Sequence, residues 1–257
     1  MKYLKSIVKP ILILKWFIIS SLLLSLAINA APLHIICAQW PPYEYSGKDG
    51  KPAGFSVEIL QAILKDLAIK NAVEFYPWKR AYLKTLNTPN TLLFTVAKTP
   101  DRENKFKWVG PIGSREVYLW KLKSRTDIKI NNLQEAKNYL IGTTRGYASE
   151  TDLINKGFII DENIDSVTVP QQNYEKLYAG RIDLIIDLEL TAYYGILKTG
   201  LDFSQLERSI LITSGTDLYF AFNVETPQET VEKFQTSLIK IKENGLFDKI
   251  LQKYKLP

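Results

Sequence analysis

Four constellations in this sequence carry side chains able to do chemistry. Arg102 lies in "TVAKTPDREN", between the apolar run "LLF" and the aromatic run "FKWVG". An arginine beside buried segments requires an anionic partner. Thr99 before Pro100 reads as the cap of a short helix, which puts Arg102 in its first turn, where the helix dipole opposes a cation. Arg102 either pairs with Asp101, Glu103 or a remote acid, or is a solvated surface arginine, or receives a carboxylate brought from outside, which its planar fork suits. In "IGTTRGYASE", Gly142 and Gly146 flank a polar turn before a helix beginning near Ser149. That is either an anion cradle of free backbone N–H groups or an ordinary connection capped by Ser149. Trp40, Tyr43, Tyr45, Phe75, Tyr76 and Trp78 gather at the ends of the first strands. There they stack on a solute or pack into the core. In "GRIDLIIDLEL", Asp183 lies within a strand and Asp187 at its carboxyl end. Asp187 either receives an ammonium or caps the next helix.

The elements that position these residues alternate between strand and helix, which argues an α/β fold. "LHIICA" is a strand leading into the aromatic turn "QWPPYEY". A helix follows from about Ser56, with Val57, Leu60, Ile63, Leu64 and Leu67 on one face. "AVEFY", "TLLFTVA" and "WVGPI" read as strands, and "PWKRAYLKTL" as a helix. The pattern then restarts: Asn132 with Glu135 forms a capping box, and "YLIGTT", "SVTVP" and "RIDLIID" are strands separated by short helices. A last helical region opens at Thr226-Pro227, with Val231, Phe234, Leu238 and Ile241 on its apolar face. Two extended segments, near 117–123 and 217–224, are expected to cross between two lobes.

The N-terminus carries Lys2, Lys5, Lys9 and Lys15, an uncharged run from Trp16 to Ala27, and small residues at Ala30 and Ala31. These are the parts of a secretory signal peptide, with cleavage expected near Ala30 or Ala31. The formal net charge of +6 falls close to neutral once those four lysines are removed. No basic block marks a nucleic-acid partner. One histidine, His34, and one cysteine, Cys37, exclude most metal clusters and histidine-based catalysis. No cofactor or metal is expected. The expected organisation is a signal peptide over 1–30, a first lobe over 31–120, a second over 121–216, and a return to the first over 217–257.

In combination, "WPPY" with "GFSVEIL", "TPDR", "IGTTRGYASE", "GRIDLIID" and "IKENGLFDKILQKY" occur in an order that resembles the family 3 extracellular solute-binding proteins, the periplasmic receptors of polar amino acid ABC importers. The resemblance implies a two-lobed type II periplasmic binding protein, with mixed sheets, flanking helices and a two-strand hinge. Its function would be to close on a small carboxylate-bearing solute and deliver it to an inner-membrane permease as a monomer. Residue by residue, it implies that Arg102 clamps the solute's carboxylate, assisted by Thr95 and the backbone at Ala97. Trp40 stacks on the side chain, with Tyr43 and Trp78 among the neighbouring aromatics. Tyr147 and Ala148 stand where the family has Thr-Thr. The family's ammonium-binding acid falls at Leu188, between Asp187 and Glu189; either is the candidate substitute, and Asp187 would be turned inward by a strand-end bulge. An enzyme of dehydratase type on the same scaffold and a sensory module are the alternatives. No nucleophile–base pair supports the enzyme.

Overall fold

The computed structural model describes residues 32–255 of the 257-residue chain. The signal peptide expected over 1–30 lies outside the described residues. Along the chain, β1 (His34–Cys37), β2 (Tyr45–Ser46), β3 (Pro52–Ala53), α1 (Phe55–Asp66), β4 (Val73–Phe75), α2 (Trp78–Asn87), β5 (Thr91–Ala97) and β6 (Phe106–Gly113) come first. Then follow β7 (Val117–Leu122), α3 (Leu133–Ala136), β8 (Ile141–Thr144), α4 (Ala148–Asn155), β9 (Ile164–Val167), α5 (Gln171–Tyr178), β10 (Leu184–Leu188), α6 (Glu189–Thr199) and β11 (Leu206–Thr213). Finally come β12 (Leu218–Asn223), α7 (Gln228–Glu243) and α8 (Leu246–Gln252).

Ten of the strands form two five-stranded mixed sheets, in the orders β4-β1-β5-β12-β6 and β11-β7-β10-β8-β9, and β2 pairs with β3 alone. In the first, β1 is parallel to β4 and β5, and β12 runs antiparallel to β5 and β6. All seven residues of β5 are buried, as a central strand covered on both faces requires. Cys37 ends β1 with no solvent exposure, opposite Phe75 on one side and Phe94 on the other. The apolar stripe of α1 is buried through Val57, Leu60, Ile63 and Leu64 as its spacing predicts. The C-terminal helices return to this sheet: Phe234 of α7 meets Phe222 of β12 at 5.1 Å, and Phe247 of α8 meets Phe55 at 5.8 Å.

The chain passes between the sheets at 114–116 and again at 214–217. This corrects the expectation for 117–123 and 217–224. β7 pairs only within the second sheet and β12 only within the first, so a boundary at 120 would cut through β7. The alternating pattern that marked these segments as strands cannot say which sheet they join. Asn132 caps α3 as expected, accepting from the Glu135 N–H. Thr226 does not cap α7; Pro227 takes that position and the Thr226 hydroxyl is buried without a partner. Among the described residues, no helix is long and apolar enough to cross a membrane.

Two glycines matter for the site. Gly54 has φ +122°, and a Cβ there would lie 2.4 Å from the Tyr43 carbonyl oxygen, so the turn that carries residues 40–44 under α1 needs glycine. Gly195 lets α6 lie flat on Tyr174, whose ring carbon would be 2.3 Å from an added Cβ.

Candidate functional site

Between the two sheets lies a cavity of about 500 Å³, part of it open to solvent. The first sheet and its loops contribute Ala38, Trp40, Glu44, Trp78, Thr95, Ala97 and Arg102 to its wall. The second contributes Tyr147, Ala148, Ser149, Asp187 and Leu188, and Arg115 comes from the first crossing. Seven of the eight residues expected from the sequence therefore meet here. Tyr43 does not. It is buried in the core at 6% exposure, stacked 4.7 Å behind Trp40 and edge-on to Phe55. The Pro41-Pro42 turn exposes Trp40 to the cavity and folds Tyr43 under it.

Arg102 is 6% exposed. It does not sit in the first turn of a helix. The Thr99 hydroxyl donates to Asp101, the Arg102 N–H bonds the Thr99 carbonyl, and Arg102 itself precedes a short 3₁₀ turn at Glu103–Lys105. Its guanidinium lies 5.4 Å from the Trp78 ring and 5.5 Å from that of Tyr82. One nitrogen approaches the Gly146 carbonyl at 3.4 Å, and Nε stands 3.9 Å from Asp101, which is half exposed. These contacts are long and leave most of the fork's donors to the cavity. Burial lowers its pKa below the usual arginine value, and Asp101 opposes that shift.

The loop 144–147 is not an open anion cradle. The Gly146 N–H is taken by the buried Glu150 carboxylate at 2.7 Å, and the Tyr147 N–H by the Thr144 carbonyl. Glu150 also accepts from the Thr143 hydroxyl, at 3.0 Å, and from Ser166. The arrangement fixes Gly146 and Tyr147 at the cavity edge. Tyr147 is the N-cap residue of α4, so the helix starts one residue before Ser149. The Tyr147 ring is 6.4 Å from that of Trp40 and 6.0 Å from that of Trp78. The Trp78 indole N–H donates to the Gly146 carbonyl at 2.8 Å, joining the two sides.

Asp187 lines the cavity, and so does its neighbour Leu188. No bulge turns Asp187 inward: β10 pairs with β7 from Ile185 to Leu188 without a register shift. The strand simply ends there, and its last two side chains both reach the space above the sheet edge. Asp187 accepts from the Tyr174 hydroxyl at 2.6 Å and from the Leu188 N–H at 2.8 Å. Burial pushes its pKa up to about 7 against those hydrogen bonds and the charge of Arg115. Glu189 instead pairs with Arg208, away from the cavity. Asp183 binds Arg125 and the Leu140 N–H, a structural role.

Two charged residues of the wall were not among the expected ones. Glu44, 1% exposed, accepts from the Thr95 N–H at 3.2 Å and the Thr95 hydroxyl at 2.7 Å. Burial holds its pKa well above the usual carboxylate range. Arg115, 2% exposed, pairs with Asp152 and donates to Thr216 at 2.9 Å, so it ties the two crossings together. One signal for Glu44 was available: Thr95 is a polar residue between the apolar Phe94 and Val96 of a buried strand and needs a partner.

A cleft between two mixed sheets, walled by aromatics and an arginine, is a place to hold a small polar solute. The sequence profile of the bacterial extracellular solute-binding proteins, family 3, matches residues 34–257. The chain belongs to that family. Among its solute-binding relatives, the L-cystine-binding protein TcyJ of Escherichia coli (strain K12) is 25% identical over 199 residues, 72% of this chain and 71% of that one. The probable amino-acid-binding protein YxeM of Bacillus subtilis (strain 168) is 22% identical over 220 residues, 83% of this chain and 79% of that one. In three dimensions, an ancestral arginine-binding protein bound to arginine matches with a TM-score of 0.74 at 19% identity, over 88% of this chain and 99% of that one. A histidine kinase sensor domain with similarity to periplasmic binding proteins matches at 0.76 and 17%, over 88% and 97%. These structures share the two-lobed type II fold of the solute-binding family.

Proposed function

We propose that this solute-binding protein is a periplasmic receptor that captures an amino acid or a close relative by closing its two lobes, and delivers it to an inner-membrane ABC importer as a monomer. In this reading it is not an enzyme, and residues 1–30 are a signal peptide removed on export. The first lobe is the sheet containing β1, completed by α7 and α8, and the second is the sheet containing β10. The observation that carries the reading is Arg102, buried in the cleft with most of its donors unused. A carboxylate is the ligand such a fork receives. Thr95 and Ala97 lie on the same side, Trp40, Trp78 and Tyr147 enclose the solute's body, and Asp187 takes its ammonium. The relatives named for cystine and amino acid binding agree with that pairing.

Native mass spectrometry of the freshly purified protein identifies the carried solute, and calorimetry with that solute then measures the site. Arg102→Ala is expected to cost roughly 2–5 kcal/mol of binding, because a desolvated charge pair loses one partner. Unchanged affinity in that variant would remove Arg102 from the site and the carboxylate from the ligand.

A further inference from the structure

The charged groups around the cavity do not balance for an ordinary zwitterion. Arg115 is matched by Asp152. Arg102 has only the half-exposed Asp101, at 3.9 Å. On the acidic side stand Glu44 from the first lobe and Asp187 from the second, and neither has an ion pair among the described residues. Both line the same cavity, Glu44 from the first lobe and Asp187 from the second. An amino acid with an uncharged side chain would satisfy Arg102 with its carboxylate and Asp187 with its ammonium. Glu44 would be left facing the cavity in its protonated form, since burial disfavours the carboxylate, and only an arriving cation would stabilise it ionised. Its hydrogen bonds from Thr95 fix both carboxyl oxygens in place but supply no positive charge. The walls beside it are the rings of Trp40, Trp78 and Tyr147, surfaces on which an ammonium or guanidinium is favourably placed.

We propose that Glu44 sets the specificity of this site, and that the solute carries, beyond its amino-acid head, a cationic side chain that Glu44 receives. The inference rests on the reading of the cavity as the solute site, and it narrows the solute to basic amino acids and their relatives. The isosteric pairs L-arginine with L-citrulline and L-lysine with 6-hydroxy-L-norleucine test it by calorimetry on the mature protein. The expected result is that a basic member binds roughly 30-fold or more tightly than its neutral isostere, the low end of the coupling of a close buried charge pair. In Glu44→Gln the ratio of the two isosteres' affinities should fall to near one. Glu44→Asp should keep the preference. Equal binding of the two isosteres by wild type, or a preference that survives in Glu44→Gln, overturns the proposal and leaves the amino-acid reading standing. Failure of all four compounds to bind overturns the proposal, and the solute found by native mass spectrometry then decides the amino-acid reading on its own. Should Glu44→Gln not fold, the comparison of isosteres on wild type decides the matter unaided.

Discussion

At the scale of single residues, the site is set by how each charge is compensated. Asp187 is the case with a measurable consequence before any solute is known. Burial raises its pKa to about 7, so the folded protein keeps a proton that the unfolded chain releases near pH 4. The stability this protonation provides is complete below about pH 4 and is lost as pH rises through about 7. The melting temperature of the ligand-free protein should therefore fall between pH 5 and pH 8 relative to Asp187→Asn; parallel curves would show that Asp187 is ionised throughout. The sequence exposed part of this residue chemistry. Arg102 stood in a recognisable context, and the acid at the end of "RIDLIID" was visible, although its use of a strand end rather than a bulge was not. Glu44 was hidden because "PPYEY" looks like a solvated turn, and only the fold brings that turn beneath Thr95. Arg115 was hidden because "GSREV" joins two strands, and nothing local says that it lies between two lobes.

At the scale of elements, the positions of the functional side chains depend on close contacts elsewhere. Tyr174 of α5 holds Asp187 with its hydroxyl and packs on Gly195 of α6. Gly195→Ala forces the phenol away from α6. The expected cost is about 1–3 kcal/mol of stability, from overpacking, together with weaker solute binding as Asp187 loses its support. Denaturant unfolding and calorimetry on one preparation separate the two effects, and intact binding would detach Tyr174 from the site. Glu150 has the same relation to the loop 144–147. Its carboxylate anchors Gly146, Thr143 and Ser166, and Glu150→Ala should cost roughly 2–4 kcal/mol as charge-assisted hydrogen bonds are lost. Hydrogen exchange should show the gain in mobility confined to that loop; unaltered protection there would refute the anchoring role. Most elements were legible from periodicity, capping and glycine stops. Their allocation to sheets was not, because β7 and β12 have the same alternating pattern as any strand and only pairing distinguishes them.

At the scale of the whole molecule, the two lobes communicate through few contacts. The Trp78 indole and Gly146 carbonyl form a direct bond across the cleft, and Arg115 links both crossings to α4 through Thr216 and Asp152. Closure of this kind is a balance between states a few kcal/mol apart. Trp78→Phe keeps an aromatic ring but removes the indole N–H, whose bond is worth about 1 kcal/mol, along with the pyrrole half of the ring. The empty variant should therefore populate the open form several-fold more, and small-angle scattering should record a larger radius of gyration. An identical scattering curve would place the balance elsewhere, with Arg115 the next residue to vary.

Cys37 gives the first lobe a chemical clock. Its sulfur is sealed on β1 between β4 and β5, within a single sheet of the first lobe. A thiol reagent therefore ignores the breathing of the cleft and reacts only when β1 leaves its sheet. Its labelling rate counts the rare excursions of the scaffold itself, separately from the motion that admits the solute.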